Sequence, residues 1–138
     1  MYNKKKRNYP HYDFENFKKA CKNKDLIYIP NDVLADADNY FRLRGKKQIL
    51  DFIENNGLEN LHYLYSNEWK NNPNKNVIIM IDNYEFTSWG KLGFIAFRYN
   101  NKRNKWIIKS FHLSKNMNDA MRNVINKADI INKLGGKI

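Results

Sequence analysis

Between Lys91 and Lys115 the chain carries Lys91, Arg98, Lys102, Arg103, Lys105, Lys109 and Lys115, with no aspartate or glutamate among them. Cations without counter-charges along two strands and their loop make a surface that follows a phosphate backbone. Aromatic residues are interleaved with them: Phe94, Phe97, Tyr99, Trp106 and Phe111. Phe94, Phe97 and Phe111 read as core, whereas Tyr99 and Trp106 read as surface platforms on which unpaired bases stack. Lys109, Ser110 and His112 stand on a segment otherwise made of Trp106, Ile107, Ile108, Phe111 and Leu113. His112 is the candidate general acid or base for a metal-free RNA cleavage, taking a proton from the 2′-OH or giving one to the leaving oxygen. A surface or hydrogen-bonded core imidazole is the competing reading. Alternation along a strand places Ser110 and His112 on one face and Lys109 on the other, unless a bulge intervenes.

Other arrangements carry less chemistry. His11, His62 and His112 are too scattered for a zinc site, and HExxH is absent, so neither metal nor cofactor is expected. Asp32, Asp36 and Asp38 read as the solvated face of a helix, and Gly90 to Gly93 lacks the Lys-Ser/Thr end of a phosphate loop. Cys21 is the only cysteine, which excludes an internal disulfide and suits a reducing cytosol. The longest aliphatic run, Val77 to Ile81, falls far short of the roughly 20 residues of a membrane span. Lys4 to Arg7 leads into Asn8, Tyr9, Pro10 and His11 rather than an apolar stretch, so no signal peptide is read. The expectation is a cytoplasmic protein without a membrane partner. Its formal charge of +11 draws polyanions. The 23 asparagines suggest an AT-rich genome, that of a low-GC bacterium, its phage or a mobile element.

These groups must be held by a fold, and 138 residues allow one core. Residues 1–12 are basic and aromatic without a period, which reads as a flexible arm ahead of a single α+β domain over 13–138. Asp13 can cap a helix presenting Phe14, Phe17 and Cys21 on one face. Leu26 to Ile29 is a short apolar piece ended by Pro30. Asn31 can then cap a second helix burying Val33, Leu34, Ala37 and Phe41, and a third runs from about Lys46 to Asn56, stopped by Gly57. After Gly57 the period changes to that of strands: one around Leu61, Tyr63 and Tyr65, then Val77 to Ile81, Leu92 to Tyr99 and Lys105 to Leu113. Asn100 to Asn104 joins the last two as an antiparallel hairpin. Asn116 can cap a closing helix with Met117, Ala120, Met121, Val124, Ala128 and Ile131 on one face. N-terminal helices, an antiparallel sheet of about four strands and a C-terminal helix make an α+β layer fold.

The run from Tyr84, Phe86, Ser88, Gly90 and Gly93 through Phe94-Ile95-Ala96-Phe97 to Trp106-Ile107-Ile108-Lys109-Ser110-Phe111-His112 resembles the strand core of small bacterial and phage RNase toxins. That broad group includes barnase, the tRNA-cutting colicins and RelE-like toxins. The piece from Asn72-Pro73-Asn74 through Val77-Ile78-Ile79 to Glu85-Phe86 and Ser88-Trp89 is also similar to part of the colicin D nuclease domain. The resemblance covers about 45 residues. It implies a metal-independent endoribonuclease that cuts mRNA or tRNA and is restrained by an acidic antitoxin or immunity protein. By role, His112 and Lys109 would transfer protons and stabilise charge, Arg98 would hold the scissile phosphate, and Ser88 and Ser110 would position it. In the colicin nuclease the key histidine precedes the Asn-Pro-Asn strand, whereas here His112 follows it.

A reading of another class is a phage-encoded inhibitor of the anti-CRISPR kind, or a basic nucleic-acid-binding protein of a mobile element. The separating feature is whether Lys109, His112 and Arg98 converge in one cleft.

Overall fold

The structure, a computed structural model, describes residues 9–114 together with the backbone of Lys6–Arg7. The closing helix read from Asn116 onward, and Lys115 with it, lie outside the described residues.

Asp13 opens α1 (Phe14–Ala20) by accepting the Glu15 amide on its side chain, which satisfies one donor that a helix start leaves over. A short 3-10 turn over Lys24–Leu26 leads into β2 (Ile27–Tyr28), and Pro30 then stands ahead of α2 (Asn31–Phe41). Asn31 is thus the first helical residue rather than the cap, and Pro30 gives that end no side-chain hydrogen bond. α3 (Gly45–Glu54) buries Ile49, Leu50 and Ile53, and it closes where the Gly57 amide reaches back to the Phe52 carbonyl. The buried positions of α2, Val33, Ala37 and Phe41, fall four apart, as a core-facing stripe must.

Four longer strands follow or complete the sheet: β3 (Glu59–Glu68), β4 (Met80–Ser88), β5 (Lys91–Asn100) and β6 (Lys105–Leu113). They form the expected antiparallel meander, with β5 and β6 the hairpin. The sheet is nevertheless wider than four strands and not purely antiparallel. β1 (Lys6–Arg7), from the segment read as a loose arm, pairs antiparallel with β3, and β2 pairs parallel with β6. The order β1-β3-β4-β5-β6-β2 gives a six-stranded mixed sheet among the described residues. The architecture is α+β.

The arm has a tether that no sequence period announces. Asp82, fully buried, accepts the His11 amide at 3.0 Å, the Tyr12 amide at 2.8 Å and the Ser66 hydroxyl at 2.5 Å. A buried carboxylate demands such donors, since its desolvation is otherwise uncompensated.

Val77 to Ile79 is the second correction. This run has the composition of a strand, yet β4 begins at Met80, and Val77 and Ile78 are exposed in the loop that precedes it. The strand is instead the polar-looking stretch with Asp82, Asn83 and Glu85, whose groups are satisfied by tertiary bonds.

One face of the sheet carries the core. Tyr84, Phe86, Ile95, Phe97, Ile108 and Phe111 pack there against Phe17, Val33, Phe41, Ile49 and Ile53 from the three helices. Gly93 is required: a Cβ there would collide with the Phe86 ring.

Candidate functional site

The second face of the sheet, opposite these helices, holds four of the five residues singled out for catalysis: Arg98, Lys109, Ser110 and His112. Strand alternation turns Arg98, Ala96 and Phe94 of β5 to that face. Across the hairpin Arg98 pairs with Ile107, Ala96 with Ser110 and Phe94 with His112. On the other side Asn83 pairs with Ala96 and Glu85 with Phe94.

Strict alternation would put Lys109 on the face opposite Ser110 and His112. The register slips between Ala96 and Phe97, because Phe97 pairs with Ile108 while Ala96 pairs with Ser110, which leaves Lys109 as the extra residue of a bulge. Its ammonium lies 4.9 Å from the centroid of the Trp69 ring. The Arg98 guanidinium lies over the same ring at 4.0 Å. The β3–β4 ladder continues one step past β3, the Trp69 amide donating to the Ile79 carbonyl at 2.8 Å, so Trp69 shares a face with Tyr65 and Asn67. Two cations therefore share one indole, an arrangement a ring quadrupole favours and mutual repulsion opposes.

The electrostatics show the strain of that arrangement. Burial, and then the charge of Arg98, hold the Lys109 ammonium below the ordinary lysine range, with Asp32 pulling the other way. Burial likewise lowers Arg98, against a smaller opposing effect of Tyr12. Arg98 is 7% exposed and its Nε has no hydrogen-bond partner. Among the described residues the ion pairs are Arg44 with Asp38 and Lys47 with Asp51, and neither Arg98 nor Lys109 has a carboxylate at that distance. A buried donor on a charged group without a partner is costly. An anion bound between the two cations would relieve both the orphaned donor and the repulsion.

His112 lies on the same face but not in this cluster. Arg98 and Phe94 stand four positions apart on β5, about 13 Å of strand. Its Nδ1 is 2.7 Å from the Leu113 carbonyl, which can only accept, so the neutral ring carries its proton on Nδ1 and leaves Nε2 as the basic nitrogen. Phe94 stacks on the ring, centroids 5.2 Å apart. Ser110 sits in the intervening row.

Ser88 is placed elsewhere. It is buried, paired with Lys91, and alternation from Phe86 puts it on the helix side at the far end of β4. Lys91 donates to the Tyr40 carbonyl at 2.7 Å and so holds the end of α2. Lys102 and Arg103 are exposed on the turn, where their amides donate to the Asn100 side chain, and Lys105 is half-buried at the start of β6. Trp106 is no surface platform: it packs against Tyr12, Phe17 and Phe97 at centroid distances of 5.5, 5.6 and 5.8 Å. Tyr99 leans edge-on against Trp106, with its hydroxyl 3.4 Å from the Asn104 side chain.

Trp69 is the residue that sequence reasoning missed. Its only signal is a tryptophan between a strand and the polar turn Lys70-Asn71-Asn72-Pro73. Beside it, the loop of residues 69–79 and the end of the β5–β6 hairpin enclose a cavity of about 350 Å³, lined by Tyr12, Trp69, Pro73, Ile78, Met80, Arg98, Tyr99 and Lys102 among others. Among the described residues, no group of three or more His, Cys, Asp or Glu side chains is placed to hold a metal, and no helix is long and apolar enough to cross a membrane. Comparison with protein-family models, curated proteins and solved structures finds no match for this chain.

Proposed function

We propose that the protein binds single-stranded RNA across the second face of its sheet and cleaves it without a metal ion, as a cytoplasmic toxin held in check by an acidic partner. The observation that carries the reading is the pair Arg98 and Lys109, both drawn onto Trp69 with no carboxylate at ion-pair distance among the described residues. A phosphodiester supplies the missing negative charge. Arg98, charged at any physiological pH, holds the phosphate. Lys109 meets the negative charge that develops on it, and a lysine with a lowered pKa is suited to giving or taking a proton. Ser110 stands beside this pair, and His112 with its basic Nε2 acts further along the strand.

The separation of His112 from the pair favours a second reading, RNA binding without cleavage, as in an inhibitor or accessory protein. Incubation of the pure protein with total RNA in EDTA separates the two. Cleavage that falls about 10²- to 10⁴-fold in Lys109→Ala while binding persists supports the enzyme. A similar fall in His112→Ala would bring the imidazole into the reaction. Intact RNA in EDTA and in magnesium, with salt-sensitive binding retained, leaves the binding protein.

A further inference from the structure

We infer that the cavity between the 69–79 loop and the hairpin end is a base pocket, receiving the nucleobase of the nucleotide whose phosphate lies on Arg98 and Lys109. The inference rests on the anion site just proposed and adds what that site alone does not contain, a means of telling a nucleotide from any other phosphate.

Three features support it. The cavity, about 350 Å³, is within the size range of small-molecule sites and ample for a purine. Its lining joins aromatic and apolar side chains, Tyr12, Trp69, Pro73, Ile78, Met80 and Tyr99 among them, to polar ones that include four asparagines. Arg98 belongs to the same lining, so its guanidinium, with Nε lacking a partner, stands where the cavity meets the anion site. A partly apolar slot ending at a cation without a carboxylate partner matches a flat aromatic group that carries an anion on a short linker.

The loop that makes the outer wall is braced rather than slack. Asn72, 5% exposed, donates to the Val77 carbonyl at 2.6 Å and accepts the Asn74 amide at 3.0 Å. These bonds span the turn, and the Trp69–Ile79 bond closes its base. Preformed walls lower the ordering cost of binding. They also explain two exposed aliphatic side chains: Val77 and Ile78, strand-like in sequence, belong to the cavity rim.

Titration of the intrinsic tryptophan fluorescence with AMP, ribose 5-phosphate, inorganic phosphate and a single-stranded pentaadenylate tests the assignment. AMP should bind about tenfold or more tightly than ribose 5-phosphate, the scale of one base stacked on aromatic side chains. Ile78→Trp, a change at an exposed position that fills the slot, should abolish that margin and leave ribose 5-phosphate affinity unchanged. Equal affinity for AMP and ribose 5-phosphate, with both weakened by Arg98→Ala, overturns the base pocket and keeps the anion site. Absence of binding by all four probes overturns both. Pentaadenylate binding more tightly than AMP assigns the pocket to a polynucleotide, and affinity no better than that of AMP keeps the pocket while removing RNA as its ligand.

Discussion

Phe17 of α1 and Phe97 of β5 lie face to face, ring centroids 4.1 Å apart and planes 4° from parallel. Tyr84 continues the stack on β4, 5.8 Å from Phe97 and 11° from its plane. The three rings tie the first helix to the two central strands, directly behind the face that carries Arg98. Phe97→Ala removes the middle ring from a site with no exposure, and should cost about 3 to 5 kcal/mol in denaturant unfolding. A loss below about 1 kcal/mol would show that the stack contributes little to the fold.

Binding is expected to divide by position. Replacing exposed Lys102 and Arg103 should flatten the dependence of RNA affinity on salt, by roughly 0.7 in log–log slope for each phosphate left unneutralised. Trp69→Ala removes no charge but releases the two cations it gathers, so affinity should fall while Trp69→Phe restores part of it. Filter binding across a salt series reads both, and a flat salt dependence of the wild-type protein would remove the electrostatic argument.

The helices were legible because they are amphipathic and locally punctuated. Asp13 caps as read, and the inward face of α2 holds apart from half-buried Leu34, while α3 gives way to left-handed Asn56 just ahead of the Gly57 read as its stop. The hairpin was legible for the same reason. What failed was decided at long range. β4 looks too polar for a central strand until Asp82 meets the His11 and Tyr12 amides, some 70 residues away in sequence. The two-residue strands carry no period at all. In the site, Arg98 and Lys109 could be nominated from charge, but a bulge has no sequence signature here, and without it Lys109 and His112 would lie on opposite faces. Trp69 depends on the end of the β3–β4 ladder, which no local pattern fixes.

Lys109 should show the sign of its environment in stability against pH. Its folded pKa lies below the ordinary value of 10.5, so between the two values the unfolded chain binds more protons and stability rises with pH. The penalty is complete at neutral pH and lifts as pH climbs toward 10.5. Lys109→Gln should therefore melt higher than wild type at neutral pH, with an advantage that shrinks as pH rises. An advantage that grows with pH would reverse the assignment. The same variant should cleave RNA more slowly while still binding it, so a gain in stability would accompany a loss of function.

Cys21 is 3% exposed, and burial first, with Glu54 second, pushes its thiol up to about 12. The native protein should resist alkylation near neutral pH, where the reactive thiolate is scarce and shielded. Labelling should begin only as the fold opens, which makes iodoacetamide uptake a direct reading of unfolding around α1. Rapid labelling of the folded protein would contradict the packing.

The order of the sheet has a further result for behaviour in solution. Its borders are Lys6–Arg7 on one side and Ile27–Tyr28 on the other, each two residues long. A free border of nine or ten residues would offer a row of unpaired amides and carbonyls as a template for another molecule's strand, the route by which sheets recruit one another into fibrils. These two short strands offer little template themselves, but they pair with only Ser66 and Asn67 of β3 and with Trp106 and Ile107 of β6. Cutting away the first eight residues would bare Ser66 and Asn67 as well, and the shortened chain would clump more readily.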